Sequence, residues 1–253
     1  MLRIIDARTG EPVDAAPARR GLTRVVAHAV GHDTTALRVL LVADVLVRAL
    51  EMGGTPVWAL LGGRGEQPEL TAAAAALGIR PFEDSWVSGT GPGEAQVLSV
   101  VGETTQGPAG SGTEPDPELL PSGVRVLVAP ADPAATVIPE DTDPTVVRLA
   151  LLTRRRTLPV RLDADALDEA RGTLVRWRRA VADWARQPSR AIPEDVRGQL
   201  RAAWENDLDM PGVLRVLHRV ETSELPEGAR FETFAYADRL LGLELTRDLG
   251  SAA

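Results

Sequence analysis

The stretch from residue 22 to residue 61 constrains the fold most. It opens with LTRVVAHAV, a β-branched run held between Gly21 and Gly31. Over Thr34–Met52, Leu37, Leu40, Leu41, Val45 and Leu46 then recur at helical spacing, and residues 55–61 close it with TPVWALL. A short apolar run bounded by glycines reads as a buried strand, and apolar residues three and four apart read as a helix with a core-facing stripe. Gly53-Gly54 ends the helix. Strand, helix and strand at this spacing predict a right-handed βαβ unit and a parallel sheet.

The flanking segments fit around that unit. Residues 2–6 and 11–13 surround Arg8-Thr9-Gly10, a turn signal, and predict a short hairpin. Residues 68–77 form an Ala-rich helical pattern closed by Gly78, and residues 97–101 and 124–129 read as strands. Residues 102–123, rich in Gly, Pro, Thr and Glu, are expected to be a flexible loop. Past Thr145 the periodicity is helical throughout, over 145–153, 163–184, 193–206, 211–220 and 229–241. Asp163 stands where an N-cap belongs and Pro211 at a first helical position. Short turns between these segments predict an antiparallel bundle. The expected boundary divides 1–142 from 143–253.

Composition excludes several chemistries. The chain has no cysteine, so it has no thiol nucleophile, disulfide or Cys-ligated zinc. Its 28 basic residues are all arginine. Without lysine there is no Walker-type phosphate loop and no Schiff base. No G-x-S-x-G nucleophile elbow is present. The net charge of -8 argues against nucleic acid as a partner. No apolar run approaches the length of a membrane span, and the first residues lack an apolar leader, so a cytoplasmic location without membrane attachment is expected.

The second half carries a resemblance. DPTVVRLALL at 143–152, the run from Leu167 through Arg178 with its LVRWR, NDLDMP at 206–211 and LLGLEL at 240–245 stand in order and at matching spacing. Together they resemble the helical region of cysteinyl-tRNA synthetase, and more closely that of the mycothiol-pathway cysteine ligase. In the first half, LRIID at 2–6 resembles the family's opening strand. DVLVRAL at 44–50 resembles the helix after its HIGH motif, and AALGIRP at 75–81 a segment that follows the second strand. The fold this implies is α/β: a truncated Rossmann-like parallel sheet followed by an all-α helical bundle.

The resemblance also implies which chemistry to look for, and the residues depart from it. Members of this class stabilise adenylate formation with the HIGH histidines and with lysines of a second loop, because donors must face charge that develops on phosphate. Here the HIGH position falls on Asp33-Thr34-Thr35-Ala36, with His32 one residue upstream. An aspartate there repels a triphosphate. The second loop belongs shortly before Asp143, yet Arg125 and Arg148 have no basic residue between them, and Asp132, Glu140, Asp141 and Asp143 stand there instead. The family selects cysteine through zinc, and His28 occupies the position of its first Cys ligand. One ligand does not make a metal site.

Each remaining candidate has two readings. His28 is a relic ligand or a satisfied histidine at a strand end; the second is favoured. His32, Asp33, Thr34 and Thr35 either bind a small ligand at a helix N-terminus or cap that helix, and capping is favoured. Arg38, with Arg64 and Arg125, is a source of cations for a non-standard phosphate site. Arg154-Arg155-Arg156 reads as a solvated helix end, His218 as structural, and Trp177, Trp184 and Trp204 as core. The expectation is a binding, regulatory or scaffold protein with no catalytic residue, metal or cofactor, whose partner is a protein or small molecule. Its relic cleft would comprise His28, His32, Asp33, Thr34, Thr35 and Arg38. A repurposed ATP-dependent cysteine ligase is the first alternative, and an RNA-binding module the weaker one.

Overall fold

The computed structural model describes residues 1–17, 22–62, 68–84, 96–103, 123–132 and 142–250. Most of the 102–123 segment expected to be a loop lies outside these residues, as do Arg64, Glu140 and Asp141.

A small hairpin of β1 (Arg3–Ile5) and β2 (Pro12–Asp14) precedes the main sheet. Five parallel strands follow: β3 (Thr23–His28), β4 (Val57–Leu61), β5 (Glu83–Asp84), β6 (Gln96–Gly102) and β7 (Val124–Val128). Their order is β5-β4-β3-β6-β7. The chain winds outward from β3 in one direction and then restarts on its other side at β6, which is the Rossmann-like doubly wound arrangement. Helix α1 (Thr34–Met52) packs along β3, β4, β6 and β7, and α2 (Pro68–Ala76) packs on α1. β5 is two residues long and both are exposed, so it offers no apolar pattern to read in advance.

The second half is helical, as its periodicity predicts. It comprises α3 (Pro144–Leu152), α4 (Ala164–Trp184), α5 (Glu194–Glu205), α6 (Met210–Glu221) and α7 (Glu227–Leu241). Asp143, Asp163 and Asp209 cap α3, α4 and α6 by accepting hydrogen bonds from Thr145, Ala166 and Gly212 amides. Trp177, Trp184 and Trp204 are buried, and Trp177 and Trp184 meet Phe234 edge to face. The buried apolar cluster runs without a break from the sheet residues through α1 into the bundle.

Buried arginines join the two halves. Arg148 is 0 % exposed; it donates to the Asp44 carboxylate at 2.8 Å and to the carbonyls of Leu241 and Leu77. Arg178 works within the helical half, donating to the Asp143 carboxylate, the Thr145 hydroxyl and the Leu243 carbonyl. Arg156 corrects the expectation of a solvated helix end. It is 4 % exposed and donates to the Leu127 and Ile5 carbonyls and to Asp207. Its neighbours Arg154 and Arg155 are exposed. The difference is one of shape: a guanidinium has five donors in a planar fork, so a single buried side chain can satisfy carbonyls from separate segments.

Candidate functional site

A doubly wound sheet binds ligands beyond the carboxyl ends of its strands, where the strand order reverses. In this chain that point lies between β3 and β6. The turn after β3, the first turn of α1 and the segment after β7 meet there.

The start of α1 is occupied by its own chain. The Asp33 side chain accepts from the Ala36 amide at 2.8 Å, so the carboxylate fills the place where an anion would meet the helix N-terminus. Thr35 faces the segment after β7: its hydroxyl accepts from the Ala131 amide at 3.1 Å and donates to the Ala131 carbonyl at 3.4 Å. Thr34 is buried and engaged. Arg38 is 1 % exposed and donates to the carbonyls of Ala129, Pro130 and Arg155. Burial lowers its guanidinium to about 10, which leaves it charged at neutral pH. Asp33 therefore caps α1, while Thr35 and Arg38 fasten it to residues 129–131 and Arg38 also to the segment after α3.

The two histidines differ. His32 is exposed in the bend before α1. His28 ends β3 on the face turned away from α1, and its Nε2 is buried with no hydrogen-bond partner. A Cβ on Gly62 would come within 2.6 Å of its Nδ1, so the ring lies against the end of β4. Burial, and then the charge of Arg125, lower its pKa below the usual imidazole value. No group of three or more His, Asp or Glu able to hold a metal ion occurs among the described residues. A recess of about 600 Å³ lies away from this point, between α3, α4 and α6. His218 lines it, with its ring 4.9 Å from that of Trp177.

Sequence reasoning missed one ionic centre. Asp44, on α1, is 1 % exposed and pairs with Arg48, Arg80 and Arg148. Burial opposes its charge, but Arg148 first and then Arg48 outweigh it and hold the carboxyl below its ordinary value. A lone aspartate among the apolar residues of α1 was the available signal, since a buried charge requires partners.

No known family profile matches the chain. The chain is 35 % identical over 111 residues to the L-cysteine:1D-myo-inositol 2-amino-2-deoxy-alpha-D-glucopyranoside ligase of Streptosporangium roseum. The match covers 42 % of this chain and 26 % of that enzyme, so the shared part is about a quarter of the relative's length. This supports a distant relationship to cysteine ligases. No described helix is long and apolar enough to cross a membrane.

Proposed function

We propose that this chain is a binding or scaffold protein of cysteine-ligase ancestry that does not form adenylates. The observation that carries the reading is the state of the first turn of α1. Adenylate chemistry needs donors free to meet developing negative charge on phosphate. Here the Ala36 amide is taken by the Asp33 carboxylate, and Arg38 is committed to three backbone carbonyls. A fixed anion at a helix N-terminus repels a second one. Composition adds to this: without lysine the usual second phosphate clamp is lacking, and without cysteine there is no thiolate to hold a selecting zinc.

Calorimetric titration with magnesium ATP tests the reading. No binding is expected at millimolar nucleotide, in the presence or absence of cysteine. Saturable binding that Arg38→Gln abolishes would support a repurposed ligase instead.

A further inference from the structure

The sheet face turned away from α1 carries polar side chains that the cleft does not use. Strand alternation and register define its members. Gly102 marks the α1 side, since a Cβ there would stand 3.4 Å from Val39 and 3.7 Å from Thr35 side-chain atoms. Gly62 marks the opposite side, where a Cβ would meet the side chains of His28 and Val26. On that side Val26 pairs with Ser99, and Ser99 with Arg125. Arg24 and His28 lie two residues either side of Val26 and so share its face. Arg24 pairs in register with Trp58, and its guanidinium carbon sits 5.4 Å from the centre of that ring. Arg24, His28, Ser99 and Arg125 thus share one face: Ser99 and Arg125 stand side by side in register on β6 and β7, while the Arg24 guanidinium leans over Trp58 and the His28 ring lies against the end of β4.

Their hydrogen bonding is incomplete. Ser99 is 2 % exposed and its Oγ has no partner. His28 Nε2 and Arg24 Nε are likewise buried and unpartnered. Neither Arg24 nor Arg125 forms a side-chain ion pair among the described residues. Buried polar atoms are normally satisfied, and a cluster of exceptions on one surface calls for a missing partner. The charge on this face is positive among the described residues of β3, β6 and β7. Among the described strand residues the carboxylate that shares the face is Glu83, which is exposed on β5, the edge strand farthest from Arg125, and pairs in register with Leu60 of β4.

We propose that this face binds a small anion bearing a phosphate or carboxylate group. The Ser99 hydroxyl and the Arg125 guanidinium, neighbours in register on β6 and β7, hold it, with His28 at its edge on β3. Adjacent strands lie about 4.8 Å apart, so a hydroxyl on β6 and a guanidinium on β7 can meet at one oxyanion. The site shares only His28 with the relic cleft and lies on the other side of the sheet from Asp33, Thr35 and Arg38. It therefore stands whether or not ATP binds at α1.

The full chain has three histidines, so ring resonances in NMR spectra report on the site directly. Inorganic phosphate and citrate, titrated separately at constant ionic strength, are the probes. A saturable shift of the His28 resonances is expected with at least one of them, while His32 and His218 stay put. The stronger probe decides between a phosphate and a carboxylate ligand. Arg125→Gln and Ser99→Ala should each weaken the effect by about tenfold, the loss of one charge-assisted hydrogen bond. Ser99→Ala is small enough to keep the fold, which an unchanged amide spectrum would verify. No shift at His28 with either anion, or a shift that both substitutions leave intact, overturns the proposal.

Discussion

Arg148 has no exposure to water, and its three acceptors come from three places: Asp44 on α1, Leu77 after α2 and Leu241 on α7. Removing it leaves Asp44 buried with one near neighbour, Arg48, and a longer contact to Arg80. Arg148→Ala is expected to cost about 3–5 kcal/mol, read from urea unfolding midpoints, because one buried partner is lost and the other stays charged. A loss below about 1 kcal/mol, the worth of an exposed pair, would contradict this. Asp143 makes a second test at the same scale. Burial raises its pKa, but the Thr145 hydroxyl and amide and then Arg178 pull it further the other way, to about 2 from 3.8. A carboxyl depressed on folding stabilises fully above its unfolded value, and that stability is lost as pH falls from 3.8 through about 2. Asp238, raised by burial despite the Leu245 and Leu243 amides, works in the opposite sense. The comparison is therefore between Asp143→Asn and its parent. The variant should lose less stability between those two pH values; parallel profiles would exclude Asp143 as a source of the acid response.

Helix ends carry the legible part of the fold. The sequence shows Asp33 and Asp163 ahead of apolar-periodic runs, and both accept from the third residue on. Asp33→Ala should destabilise by about 0.5–2 kcal/mol, measured by thermal unfolding. No change would mean that water serves the Ala36 amide equally well. Gly242 closes α7 at a φ of 63°, and a Cβ there would stand 2.8 Å from an Arg148 nitrogen. Gly242→Ala therefore combines left-handed strain with a clash at the ionic hub. It should exceed the roughly 1–2 kcal/mol of backbone strain alone. A smaller loss would show that Arg148 can move aside. The strands and helices were readable because periodicity and punctuation are local properties. β5 was not, because Glu83-Asp84 is two exposed residues with no pattern to detect. The roles of Arg38, Arg148 and Arg156 were hidden for another reason. Each binds carbonyls or carboxylates tens of residues away, and only the folded chain brings those partners together. The candidate cleft was legible as residue identities around Asp33, while the commitment of Thr35 to Ala131 was not.

At the scale of the whole molecule, the sheet and the bundle share one apolar core and are bridged by buried Arg38, Arg148 and Arg156. The strand order has the crossover point where ligands of such sheets bind, yet Asp33 uses its carboxylate to cap α1, and Thr35 and Arg38 use their polar atoms to hold residues 129–131 in place. The scaffold of the resemblance is therefore present among the described residues. The Ala36 amide and the Arg38 guanidinium at the start of α1 have their partners within the chain. The most direct test is ATP–pyrophosphate exchange by the full chain, with cysteine and with each other amino acid in turn. The account predicts exchange no faster than the protein-free control in every case. Exchange above that control with any amino acid, lost in Arg38→Gln, would contradict it.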